Sequence, residues 1–261
     1  MASARTSLAT VTFGDVAENH ARMQKIGKLH ERGYSVGELH LLSTKLETLG
    51  LKTEYISLNE EFKDDASFAE AGVLVIRKAA QFIIGEPTTQ LLQDEHSKLE
   101  VDKKAFMRGR VVNKHARWNL CFDDEDQEPN YEEGKGRIVS YKHLPITQRM
   151  RETIADWTND VLLKGEANYY YDLLKCGIGY HGDAERRKVF AVRFGASEKA
   201  PLYYQWYQNS KPVGNRIEII VEDGDMYVMS EKAVGFDWMK KKVPTLRHAT
   251  GCGKYTTVVK K

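Results

Sequence analysis

The chain has 261 residues, enough for one large domain or two small ones, and 41% of them are hydrophobic and 29% charged. That balance excludes a mainly disordered chain, and no apolar run approaches the roughly 18 residues of a membrane-spanning helix. Lys and Arg number 39 against 37 Asp and Glu, so the net charge of +2 excludes a generally basic nucleic-acid coat while leaving room for a local basic face.

The three cysteines, Cys121, Cys176 and Cys252, are odd in number and widely spaced, with no CxxC pair. Structural zinc and a disulfide framework are both poor readings of that pattern. Reduced thiols and the absence of an apolar signal-peptide core in MASARTSLATVTFGD fit a soluble protein of the cytoplasm or nucleus with no membrane partner. The opening segment reads as a short flexible arm.

From Asp15 to Leu49 the apolar residues fall at helical intervals: Met23, Ile26 and Leu29, then Leu39, Leu42, Leu46 and Leu49. Two helices broken near Gly33 to Gly37 are expected. Residues 1–70 then form a helical N-terminal extension packed on a main domain of residues 71–261. GVLVIRK, from Gly72, reads as a buried strand, and Thr88 or Thr89 as the cap of a helix running toward Leu99. Between Lys103 and Arg117 stand six Lys or Arg and no acid, followed directly by the acidic loop DDEDQEPNYEEGKG. MRETIADWTNDVLLK, after Pro145, reads as an amphipathic helix stopped by Gly165. From Ala167 onward, strand-like pieces rich in Tyr, Val, Ile and Thr dominate, ending in YTTVVK. Helices first and strands later indicate an α+β class with a double-sheet β core.

The most informative residues are His181-Gly182-Asp183. In an extended segment residues two apart face the same way, so one imidazole and one carboxylate can approach a single ion. A third ligand must come from elsewhere, and His248 is the candidate. Two His and one carboxylate form the facial triad of non-haem Fe(II) oxygenases, which leaves positions open for co-substrate and O2. Alone, HxD is a weak signal, more often a loop His beside a turn Asp.

Its context is more specific. The stretch NYYYDLLKCGIGYHGDAER resembles the AlkB family of 2-oxoglutarate-dependent dioxygenases, in which N-x-Y, a short Gly-containing loop and H-x-D-x-E follow one another. Here these are Asn168 and Tyr170, then Ile178 and Gly179, then His181, Asp183 and Glu185. VFAVRFGA with Gly195, GDMYVMS with Gly224 and Asp225, and RHATG with His248 match the family's later strands. Where the family ends in R-x-N-x-T-x-R, this chain has KYTTVVK, so lysines Lys254 and Lys260 stand in place of two arginines at the same spacing. A lysine offers a carboxylate a point charge without the bidentate fork.

The resemblance implies a double-stranded β-helix, or jelly-roll, core. It implies Fe(II) on His181, Asp183 and His248, with 2-oxoglutarate as co-substrate near Asn168, Tyr170, Lys254 and Lys260. The implied reaction is oxidation, in the form of N-demethylation, of a nucleobase in DNA or RNA, the process DNA repair or its like. Glu185 would accept from an exocyclic amine of adenine or cytosine. Arg110, Lys114 and Arg117 would hold phosphates, with Arg108 beside them, and Trp118 or Phe122 would stack on a flipped base. Three alternatives stand beside this: a surface salt bridge for Glu185, a protein side chain or small molecule as substrate, and a non-catalytic nucleic-acid-binding module on the same scaffold. Arg247 would face away from the site, Trp206 is expected in the core, and His20 at the surface.

Overall fold

The computed structural model describes residues 7–161, 163–195 and 200–258. Along the chain come β1 (Leu8–Gly14), β2 (Val16–Glu18), β3 (Lys25–Gly27), α1 (Val36–Thr48), β4 (Lys52–Ser57), β5 (Gly72–Arg77), α2 (Ala79–Ile84) and α3 (Gln90–Ser97). Then follow β6 (Lys104–Met107), β7 (Arg110–Asn113), β8 (Trp118–Asp123), β9 (Ile138–Ser140) and α4 (Pro145–Thr158). The remainder is β10 (Lys164–Tyr170), β11 (Gly177–His181), β12 (Phe190–Phe194), β13 (Leu202–Gln208), β14 (Lys211–Ile219), β15 (Met226–Met229), α5 (Glu231–Val234), β16 (Thr245–Gly251) and α6 (Gly253–Thr256). The class is α+β, mostly sheet with few helices, and no helix of the described residues is long and apolar enough to cross a membrane.

Two sheets carry the fold. One has eight strands in the order β4-β5-β15-β12-β1-β10-β8-β9, the other four in the order β11-β16-β13-β14. Side-chain alternation gives the large sheet two different faces. Ala9, Val11 and Phe13 of β1, Leu74 and Ile76 of β5, and Phe190 and Val192 of β12 pack against Leu39, Leu46, Ile83, Leu92 and Ile154 of the helices. Val73, Val75, Ala191, Tyr227 and Met229, from the opposite face, pack with Leu202, Tyr204, Trp206 and Leu246 of the four-stranded sheet. Trp206 is thus a core residue, its indole N–H donating to the Leu58 carbonyl at 2.6 Å.

The first 70 residues are not a helical extension. β1 lies inside the large sheet, antiparallel to β10 on one side and β12 on the other, with every residue buried. LATVTFG alternates apolar and threonine side chains, a half-apolar strand pattern rather than an arm. Of the two expected helices only the second forms. Ser35 caps α1, accepting from the Glu38 N–H while the Glu38 carboxylate accepts from the Ser35 N–H. Met23, Ile26 and Leu29 do not share a helix because Arg22 (φ 74°) and Gly27 (φ 97°) take left-handed backbone that an α-helix cannot hold.

Two stops also differ. α4 ends at Asn159, left-handed at φ 52° with its N–H on the Ala155 carbonyl. Gly165 instead sits in β10, where a Cβ would come within 2.5 Å of the Tyr141 hydroxyl. The C-terminal KYTT is not a strand. The chain turns at Gly251 (φ 103°) and enters the short helix α6. The acidic loop is bound to basic residues of its own chain: Asp123 to Lys164, Asp124 to Arg151, Glu125 to Lys142 and Asp126 to His143.

If β1 is core, Phe13→Ala, at a fully buried position, costs about 3–5 kcal/mol of stability. Urea denaturation measures this; a loss below about 1 kcal/mol would return β1 to the status of an arm.

Candidate metal centre and its cavity

β11 and β16 pair antiparallel, and the register sets His181 directly opposite His248. An irregularity between Ile178 and His181 shifts the strand just before the histidine, a device that re-aims side chains. After His181 the chain makes its closest approach at Gly182, where a Cβ would come within 2.1 Å of the Gly235 carbonyl oxygen. Only glycine passes there. The Asp183 N–H then donates to the Val234 carbonyl at 2.9 Å, pinning the carboxylate beside the two imidazoles.

Three ligand atoms of His181, Asp183 and His248 lie within 4.8 Å of one another. The imidazole Nε2 of His181 is 3.5 Å, and that of His248 3.4 Å, from the same oxygen, Asp183 Oδ1. Ligands sharing an ion at about 2.0–2.2 Å sit at comparable mutual distances. His181 Nδ1 is 2.8 Å from the Gly179 carbonyl and 3.1 Å from the His248 carbonyl. Carbonyls only accept, so Nδ1 carries the hydrogen and Nε2 presents its lone pair toward the shared point. Burial pushes the Asp183 carboxyl up, but the adjacent His248 and His181 imidazoles and the Arg186 guanidinium together hold it well below the usual carboxylate range. His248 is lowered by burial and by the neighbouring His181, against the pull of Asp183. A neutral imidazole and an ionised carboxylate are the states that bind a divalent cation, and the donor set fits one.

The triad faces a cavity of about 620 Å³, ordinary for a ligand site. Its floor is the polar face of the large sheet: Thr10 and Thr12 of β1, Glu166, Asn168 and Tyr170 of β10, and Arg193 of β12. Arg186 is buried and bridges two carboxylates, Glu166 and Glu185, with its Nη2 2.9 Å from Glu185 Oε1. His20, Arg22 and Lys25, from the β2–β3 ribbon and its loop, line the cavity from another side.

The expected site residues divide. Asn168 and Tyr170 line the cavity, and Asn168 Oδ1 accepts from Arg117 and, at 2.8 Å, from Asn119. Arg117 and Glu185 line it too. Lys114 is not among the cavity-lining residues; its ammonium lies on Asn19 Oδ1 at 2.6 Å, and burial lowers its pKa to about 8. Arg110 is exposed on β7 and is not among the cavity-lining residues. Trp118 does not line the cavity either. It is stacked on Tyr171, centroids 4.4 Å apart, with the Lys103 ammonium over its ring. Phe122 is fully buried under the helices, because β8 turns it to the opposite face from Asn119. Lys254 is exposed on α6, its ammonium over Tyr255, and Lys260 lies outside the described residues. Arg247 stacks on Tyr207 and Trp238. His20, expected at the surface, lines the cavity.

Reading the sequence alone missed Arg193, Glu166, Thr10 and Glu18, while the salt bridge weighed for Glu185 does form, with Arg186, though buried rather than at the surface. A signal existed for some of them. Arg193 is the lone charge in an otherwise apolar strand, and Glu166 shares the strand face of Asn168 and Tyr170.

Glu18, buried at the cavity edge, has its pKa raised to about 7 by burial, against the Arg22 N–H and with Glu185 adding to the rise. A raised carboxyl pKa contributes stability below the unfolded value of 4.5 that is lost as pH climbs through 7. Glu18→Gln fixes the neutral form. Its Tm falls less than the wild type's between pH 5 and 8, by on the order of a few degrees; parallel curves in a thermal melt series would disprove the assignment.

No protein-family model matches the chain. A protein of Acanthamoeba polyphaga mimivirus called "Uncharacterized protein R156" is 46% identical over 251 residues, covering 94% of this chain and 96% of that protein. The chain belongs to the family of this mimivirus protein.

Proposed function

We propose that the protein is an AlkB-like Fe(II)/2-oxoglutarate-dependent dioxygenase that N-demethylates a nucleobase in DNA or RNA. The observation that carries this reading is the convergence of His181, Asp183 and His248 in a cavity between two sheets. The strand order supports a jelly-roll core. From β10 to β16 the strands fall in the large, small, large, small, small, large and small sheet in turn. β1, set between β10 and β12, completes eight, so the final strand of the roll comes from the N-terminal end of the chain.

Iron and 2-oxoglutarate, when bound, would supply an oxidant made from O2 for a substrate C–H bond. The protein's part is to hold and shield. His181 and His248 give neutral nitrogen ligands and Asp183 an anionic oxygen. Asn168 and the buried Tyr170 hydroxyl are hydrogen-bonding groups of the floor. With Arg186 on Glu185 Oε1, Oε2 is the atom offered to an exocyclic amine. Arg117, Arg22 and Lys25 give the mouth a basic rim for phosphates. No nucleophile is required, and none of the three cysteines lines the cavity.

A second reading, oxidation of a cationic protein side chain or small molecule, is favoured by one feature: Glu18, Glu166 and Glu185 line the same cavity around one Arg186.

Incubation of N-methylated single- and double-stranded oligonucleotides with the protein, Fe(II) and 2-oxoglutarate, followed by mass spectrometry, decides between them. Demethylation is expected, falling at least about 100-fold in His181→Ala and Asp183→Ala. Unchanged oligonucleotides with continued succinate formation would favour the second reading. Metal binding equal in wild type and both variants would remove the centre altogether.

A further inference from the structure

Arg193 is 1% exposed, yet among the described residues it has no carboxylate within ion-pair distance. Its Nη1 donates to the Ala200 carbonyl and its Nη2 lies 3.5 Å from Thr250 Oγ1, while its buried Nε has no partner among the described residues. A buried guanidinium is expensive unless an anion meets it. Thr10 presents the same deficit: its Oγ1 is also buried with no partner. The two deficits are neighbours. In the pairing of β1 with β12, Thr10 stands directly opposite Arg193, and both line the cavity. Cross-strand partners of this kind have Cβ atoms about 4.5–5.5 Å apart, close enough to share one ligand group.

We propose that Arg193 and Thr10 form the receptor for a ligand carboxylate, the far end of a short dicarboxylate whose other end meets His181, Asp183 and His248. The identity of that other end rests on the oxygenase reading; the carboxylate receptor does not. Position supports a short ligand. Arg193 reaches Thr250, which lies two residues along β16 from His248, a step of about 6.6 Å. A four- or five-carbon dicarboxylate spans such a gap. The receptor replaces the two C-terminal lysines expected from the sequence. The strand that would have carried them is supplied instead by β1, which brings a threonine, and the positive charge comes from the neighbouring strand β12.

The test uses the whole chain with Mn(II) in place of iron, its binding followed by electron paramagnetic resonance. Glutarate, N-oxalylglycine and pyruvate are then titrated by calorimetry. Pyruvate has the keto-acid end without the far carboxylate. Arg193→Gln is expected to weaken N-oxalylglycine and glutarate at least 30-fold while leaving pyruvate and Mn(II) within about twofold. Thr10→Val removes a hydroxyl that has no partner in the free protein, so its Tm is no lower than the wild type's. Its affinity for both dicarboxylates drops about fivefold. The Lys254→Ala/Lys260→Ala double variant keeps wild-type binding. Arg193→Lys, which preserves charge without the fork, falls between wild type and Arg193→Gln.

Dicarboxylate binding that stays within twofold in both Arg193→Gln and Thr10→Val overturns the receptor and leaves the metal centre standing. Loss in the double lysine variant alone overturns it in favour of the C-terminal lysines. A wild-type protein that takes Mn(II) but no dicarboxylate overturns it as well. Arg193-dependent glutarate binding without any Mn(II) binding supports the receptor and defeats the oxygenase reading.

Discussion

The register between β11 and β16 sets the geometry on which the candidate site depends. A one-residue slip would turn His248 to the far face of its strand and disperse the triad. That register is held from both ends. β16 is also paired along its length with β13, so its position is fixed by a second ladder. Gly182 and Gly235 meet at the exit of β11 at a distance no side chain permits, and the Asp183 N–H closes on the Val234 carbonyl. The ligands are therefore placed by backbone contacts, which suits a centre that must keep its geometry before any ion arrives.

A second principle organises the cavity. Every strand of the large sheet has an apolar face toward the helices, and near the triad its other face is polar. A row runs across three adjacent strands: Arg193, Thr10 and Asn168 stand opposite one another in register, and Asn119 continues it on β8. Burying so many polar groups is tolerable only if they satisfy one another or a ligand. Asn168 is served by Arg117 and Asn119, and Glu166 by Arg186; among the described residues nothing serves Thr10 Oγ1 or Arg193 Nε. The unsatisfied part of the floor thus lies on β1 and β12.

Much of this was legible in the residues. His181, Asp183 and His248 converge as the HxD spacing and the family resemblance together implied, and the strand-rich second half forms strands. What was not legible has physical causes. LATVTFG carries a strand pattern, but nothing in seven residues says that its partners lie in the far half of the chain. Met23, Ile26 and Leu29 have helical spacing, yet the left-handed backbone at Arg22 and Gly27 breaks it. The six-residue spacing of the lysines in KYTTVVK matches one face of a strand, but the chain turns at Gly251 and the segment around Lys254 is helical. Arg193 looked like an ordinary strand residue because burial, not sequence, makes a lone guanidinium conspicuous.

The placement of β1 also bears on how the molecule is made. β1 must enter the middle of the sheet, between two strands that are synthesised much later. Until β10 and β12 exist, both of its hydrogen-bonding edges are open, a state that invites wrong pairing. Closure of the large sheet is then a late, long-range event, of the kind that makes folding slow. The floor of the cavity, completed by Thr10, requires that pairing, so the candidate binding site cannot exist in a half-formed sheet that lacks β10 and β12.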